Sequence, residues 1–121
     1  MLSFEGKRVL VTGSAGGIGE AAAMRFAEAG ATLQLVDINL EGLEKVKAKI
    51  QDKYNVEVEL YRVDLSKKKE IDALWEKLKG REPDVLVNNA GIYPFKDYEE
   101  IDEGFYRKVM DINFSTIFWM C

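Results

Sequence analysis

Cysteine is nearly missing from this chain: Cys121 is the only one in 121 residues. An internal disulfide is therefore excluded, and a reducing, cytoplasmic setting is the expectation. Clustered positive charge is lacking too. The net charge is -4, the basic residues are scattered, and the one run, Lys67-Lys68-Lys69, is followed at once by Glu70. No basic face is offered to nucleic acid or to an anionic membrane, and neither is expected as a partner. Long apolar runs are also missing. The stretch Met1 to Arg8 has no apolar core of signal-peptide length, and nothing later approaches the roughly 20 apolar residues of a membrane span. No repeat and no Pro- or Ser-rich linker divides the chain, so one domain over residues 1–121 is expected.

What is present is an alternation of strand and helix patterns. Arg8–Val11 is a short apolar run ending at a glycine turn, and Ile18, Ala22, Phe26 and Ala29 follow at helical spacing, with Gly30 placed to stop the helix. Thr32–Val36 reads as the second strand, and Asn39 can cap a helix whose apolar face is Leu43, Val46 and Ile50. Val56 to Val63 reads as the third strand. Ser66 then stands where it can cap a helix with Ile71, Leu74, Trp75 and Leu78 on its core side and Gly80 at its end. Asp84–Val87 is an unbroken run of the kind buried on both faces of a sheet. A looser segment, Ile92 to Ile101, leads to a last helix, with Asp102 as cap and Phe105, Val109, Ile112 and Thr116 on one face. Alternating elements of this kind predict an α/β fold, a doubly wound, Rossmann-type parallel sheet covered by helices on both sides.

The stretch VLVTGSAGGIGEAA, from Val9 to Ala22, carries the first functional signal. Gly13, Gly17 and Gly19 lie on the turn between the first strand and helix, where helix N–H groups and a partial positive charge face the crevice of a doubly wound sheet. A β-carbon there would obstruct the tight turn, the approach of a pyrophosphate, or the packing of helix on strand. Glycine-rich turns also join elements where nothing binds. Here an acid, Asp37, ends the second strand 18 residues after Gly19, where a carboxylate can accept hydrogen bonds from ribose hydroxyls. The spacing excludes a P-loop, because the position five after Gly13, where that motif needs its second glycine, is Ile18, and no lysine closes the turn before Glu20.

The motif Thr12-Gly13-Ser14-Ala15-Gly16-Gly17-Ile18-Gly19 resembles the T-G-x-x-x-G-I-G glycine motif of the short-chain dehydrogenase/reductase family. Asn88-Asn89-Ala90-Gly91 is similar to that family's N-N-A-G motif, Asp64-Leu65 resembles its adenine-contacting pair, and Asn113 in VMDINF matches the asparagine of its catalytic tetrad. The resemblance covers nearly the whole chain but only about the N-terminal half of a typical member. It implies a nicotinamide cofactor held by Gly13, Gly17, Ile18, Gly19, Asp37, Asp64, Leu65, Asn89, Ala90 and Gly91. Asp37 would select NAD, since a 2′-phosphate would set negative charge against its carboxylate. Gly16 and Ile38 agree, because NADP-using relatives often place a basic residue there.

Each of these positions has a plainer reading beside the functional one. Asp37 could be a turn or capping aspartate, and Asp64 could cap the third helix in competition with Ser66. Of Asn88 and Asn89, one could brace the fourth strand while the other, by resemblance Asn89, meets the cofactor's ribose. Asn113 is either a hydrogen-bonded core amide or, as the family implies, the holder of a water in a proton relay; the two are compatible. Tyr93, Pro94 and Phe95 either contact substrate or form packed loop.

A Y-x-x-x-K pair is lacking. Tyr54, Tyr61, Tyr93, Tyr98 and Tyr106 are followed four residues on by Val58, Leu65, Asp97, Asp102 and Met110. The family's serine, tyrosine and lysine would then lie beyond Cys121, and the apolar ending FSTIFWMC suggests a truncated chain with an open sheet edge. Two classes follow: the cofactor half of an NAD-dependent oxidoreductase acting on a small-molecule alcohol or carbonyl compound, or a dinucleotide-binding module without turnover. The resemblance also implies a homo-oligomer.

Overall fold

A computed structural model describes residues 3–91 and 98–121. Four strands, β1 (Arg8–Thr12), β2 (Thr32–Asp37), β3 (Val58–Arg62) and β4 (Val85–Val87), form one parallel sheet in the order β3-β2-β1-β4. Helices α1 (Gly17–Glu28), α2 (Leu40–Lys53) and α3 (Lys68–Lys77) make the crossovers. After β4 come a short 3-10 turn at Tyr98–Glu100 and then α4 (Glu103–Met110), which passes through a π turn at Asp111–Ser115 into α5 (Thr116–Met120). The expected α/β fold is thus present as an open, four-stranded, Rossmann-like sheet.

Apolar alternation along the strands assigns the helices to faces. Val9, Val11, Leu33, Leu35 and Val58 turn to one side and are covered by Ala23 and Ala27 of α1 and Leu43, Val46 and Ile50 of α2. Leu10 and Val36 turn to the other, under Ile71, Leu74 and Leu78 from α3 and its end and Met120 of α5. From β1 the chain winds outward to β2 and β3, then returns across the sheet to β4 on the other side of β1. The winding direction therefore reverses between β1 and β4, and the crevice of such a sheet opens at the carboxyl ends of those strands.

Local chemistry explains most boundaries. The Asn39 side chain accepts the Gly42 N–H at 3.0 Å to start α2, and the Asp102 carboxylate accepts the Phe105 N–H at 2.8 Å to start α4. Gly30, with φ +93°, ends the segment after α1. Ser66 does not cap α3, contrary to expectation. Its hydroxyl donates to the Asp64 carboxylate at 2.6 Å, and α3 begins after Lys67 without a side-chain cap.

Three further expectations are corrected. β3 begins at Val58, since ladder pairing starts at Leu33 opposite Val58. Trp75 is half-buried rather than fully in the core, packed from the flank of α3 against the cluster that holds Ile71, Leu74 and Leu78. β4 is half-exposed because, among the described residues, it has one sheet neighbour, β1. Tyr93, Pro94 and Phe95 lie outside the described residues. No helix is long and apolar enough to cross a membrane among the described residues.

Candidate functional site

The turn after β1 meets the segment after β4 across the point of reversal. Thr12, fully buried, stands at their junction: its hydroxyl accepts the Asn89 N–H at 3.0 Å and the Ala90 N–H at 3.1 Å, and donates to the Val87 carbonyl at 3.3 Å. The Asn89 side chain returns the contact, donating from Nδ2 to the Gly13 carbonyl at 3.3 Å. Asn89 therefore braces the glycine turn from behind. Nothing in its sequence position singled out Thr12 beyond membership of the glycine motif, yet three main-chain groups depend on it.

The glycines serve separate ends. A β-carbon at Gly13, where φ is +65°, would lie 2.9 Å from the Ala90 Cα, so its absence lets the two loops touch. At Gly19 a β-carbon would sit 2.2 Å from the Gly13 carbonyl oxygen and 2.7 Å from Asn89 Nδ2; its absence lets α1 pack against its own entry turn. Gly17 is different. Its φ of +58° favours glycine, but a β-carbon there, as at Gly16, would meet no atom within 4 Å. At Gly16 and Gly17 side chains are missing from open space, above a helix that starts with no side-chain cap. That is the arrangement an anion needs: room for close approach, unspent N–H groups and the positive end of the helix. Ile18, the next residue, is 79% exposed beside it.

Asp37 closes the other side. Its Oδ2 accepts the Ala15 N–H at 3.1 Å and its Oδ1 the Asn39 N–H at 3.0 Å. The bland reading of a turn aspartate is thereby realised in part, but a carboxylate has about four acceptor positions and two are used here. Asp37 also lines an open cavity of about 190 Å³ together with Gly13, Ile38, Val63, Asp64, Leu65, Ala90, Gly91 and Ile112. Six of the sequence-predicted positions thus converge on one space: Gly13, Asp37, Asp64, Leu65, Ala90 and Gly91.

Asp64 is held in place by its neighbours. Its Oδ1 accepts the Ser66 N–H at 3.0 Å as well as the Ser66 hydroxyl, and Lys67 Nζ lies 3.9 Å from Oδ2. The Ser66 hydrogen bond, more than the lysine, keeps its carboxyl below the usual aspartate range. The Leu65 side chain is buried against α3, and its carbonyl lies 2.6 Å from the Thr116 hydroxyl, which is also 2.8 Å from the Asp111 carbonyl.

Asn113 falls inside the π turn, the one departure from regular helix in this segment. The extra residue of a π turn swings the side chains that follow. Asn113 is half-buried, and its Oδ1 lies 3.4 Å from where a β-carbon on Gly91 would be. The last helix thereby delivers its amide to the N-N-A-G segment. The π turn itself was not visible in the spacing of Phe105, Val109, Ile112 and Thr116.

The geometry defines an α/β protein with an open crevice at the carboxyl end of β1. The description short chain dehydrogenase matches residues 7–121, and the chain belongs to that family. It is 32% identical over 117 residues to epidermal retinol dehydrogenase 2 of Mus musculus, spanning 95% of this chain and 38% of that protein. It superposes with a TM-score of 0.91 and 27% identity on L-sorbose reductase from Gluconobacter frateurii, solved with NADPH and L-sorbose, covering 98% of this chain and 46% of that one. A metagenomic short-chain oxidoreductase in complex with NADP gives a TM-score of 0.89 at 30% identity, covering 98% and 54%. The chain thus spans about half the length of these relatives, or less.

Proposed function

We propose that this chain is the cofactor-binding half of an oxidoreductase that interconverts a small-molecule alcohol and its carbonyl compound, with NAD as cofactor. The observation that carries the reading is the first turn of α1, uncapped and free of side chains at Gly16 and Gly17, with the Asp37 carboxylate anchored beside it. The N–H groups of Gly17, Ile18 and Gly19 would hold the pyrophosphate, and Asp37 would accept from the adenosine ribose. Asp64 and Leu65 would border the adenine. Gly13, Ala90 and Gly91 would floor the crevice, with Asn89 behind them. Bound NAD supplies the hydride acceptor for alcohol oxidation. Asn113, against Gly91, is the one residue proposed on the catalytic side, as holder of a proton-relay water.

NAD is favoured over NADP because a ribose 2′-phosphate would bring like charge to the Asp37 carboxylate, with the uncharged Gly16 and Ile38 beside it. Fluorescence titration tests this. NADH should bind and NADPH should bind more weakly, and Asp37→Asn should narrow the gap by roughly tenfold, the scale of one charge-assisted contact. Tighter NADPH binding by the unsubstituted chain, or no binding of either at millimolar concentration, would refute the assignment.

A second reading is favoured by one observation: no tyrosine among the 121 residues is followed by lysine at the fourth position. By themselves these residues should bind dinucleotide without turnover, so NADH absorbance should not grow when NAD and a panel of alcohols are added. A homo-oligomer in the reducing cytoplasm is the proposed setting.

A further inference from the structure

We propose that Gly42 is a positioning residue for cofactor discrimination: lacking a β-carbon, it lets the first turn of α2 seat against Ala15 and so holds the Asp37 carboxylate in place. The inference rests on the reading of Asp37 as the acid that recognises ribose.

A glycine within a helix costs about 1 kcal/mol relative to alanine, so its presence asks for a reason. Conformation is not the reason, since Gly42 is not among the glycines with positive φ. Space is. A β-carbon at Gly42 would lie 2.8 Å from Asn39 Nδ2 and 2.9 Å from the Ala15 Cβ. The Asn39 amide could swing aside only by giving up its cap on the Gly42 N–H. The Ala15 methyl is fixed to the main chain of the glycine turn and cannot turn away.

Both neighbours lead to the same carboxylate. The Ala15 N–H donates to Asp37 Oδ2 at 3.1 Å, and the Asn39 N–H donates to Asp37 Oδ1 at 3.0 Å. Ala15, Asp37, Asn39 and Gly42 therefore form a closed ring, three sides hydrogen-bonded and the fourth a methyl seated where a β-carbon is missing. Adding that β-carbon pushes on the Ala15 residue whose N–H holds Asp37 Oδ2, or breaks the Asn39 side-chain cap that fixes the turn carrying the N–H on Oδ1, and either change loosens the seat of the carboxylate. A glycine retained only for helix packing would have no such link to the choice of nucleotide.

Titration of the full chain with NADH and, separately, NADPH tests the ring. Gly42→Ala should lower the NADH-over-NADPH preference by roughly tenfold. Adding Ala15→Gly, which removes the opposing methyl, should restore it, and Gly42→Ala placed on Asp37→Asn should change the preference no further. An unchanged preference, parallel weakening of both nucleotides, or failure of Ala15→Gly to rescue would overturn the inference. Should Gly42→Ala alone fail to fold by circular dichroism, the paired variant decides: folded with the preference intact it supports the ring, folded without it the ring is refuted. If the unsubstituted chain binds neither nucleotide, the reading of Asp37 fails and this inference with it; if it prefers NADH and Gly42→Ala keeps that preference, only this inference fails.

Discussion

Thr12 shows how much can depend on a single hydroxyl. Two N–H groups of the segment after β4 converge on it. Thr12→Val keeps the shape and leaves both donors without this partner in a half-buried setting, where a fully orphaned donor would cost about 1–3 kcal/mol. We expect a loss of about 2 kcal/mol in urea unfolding for Thr12→Val and little loss for Thr12→Ser; a Thr12→Val midpoint equal to that of the unsubstituted chain would show that the hydroxyl is not the tie between the loops. The same reasoning separates the glycines. Gly13 and Gly19 are glycines because protein atoms occupy the space of their β-carbons, whereas Gly16 and Gly17 leave that space empty. Sequence alone marks all of these as special. Only the structure divides those serving the fold from those that leave room for a ligand.

At the scale of elements, helix boundaries governed by one short-range bond were legible in the sequence. Asn39 and Asp102 cap as expected, and Gly30 adopts the left-handed conformation that stops its segment. Ser66 misled because its hydroxyl is turned toward the Asp64 carboxylate, two residues earlier, to which it donates, and so its oxygen does not accept from the helix N–H groups. The π turn was hidden because periodicity cannot register one inserted residue; at its end the Thr116 hydroxyl reaches the carbonyls of both Asp111 and Leu65. Edge strand β3 carries its own polar device. The Tyr61 hydroxyl donates to the Glu59 carboxylate, and Arg81 Nη1 lies 3.6 Å from the same Glu59 oxygen. Burial, reinforced by the bond to Glu59, pushes the Tyr61 phenol up to about 12. The folded chain therefore holds that proton more tightly than the unfolded chain. Its contribution to stability is complete below the ordinary tyrosine value of about 10 and is lost as pH rises from there toward 12. Denaturation midpoints measured across that window should fall for the unsubstituted chain and fall less steeply for Tyr61→Phe. Equal slopes would remove Tyr61 as the cause.

For the whole molecule, the order β3-β2-β1-β4 puts the crevice beside β4, whose three residues are all apolar and half-exposed. The segment from α4 through the π turn to α5 presents Tyr106, Met110, Phe114, Ile117 and Phe118 to solvent, with Phe118 67% exposed. We propose that these exposed apolar side chains form an association face. Sedimentation should show concentration-dependent self-association that Phe114→Lys with Phe118→Lys reduces; a clean monomer at high concentration would contradict this. The sheet and its winding were readable from alternation, Gly13 and Asp37 from the glycine turn and its spacing, and Asp64, Leu65, Ala90 and Gly91 from the family resemblance. The Thr12 tie and the Ala15–Asp37–Asn39–Gly42 ring were not, because they join residues through contacts that no periodicity encodes. The central claim is that an anionic dinucleotide rests on the uncapped start of α1 and is recognised by Asp37. Amide chemical-shift mapping with NAD tests it most directly. The largest shifts should fall on Gly16, Gly17, Ile18 and Gly19, with further shifts at Asp37 and Asp64; shifts confined to the far ends of the strands, or none at saturating NAD, would contradict the account.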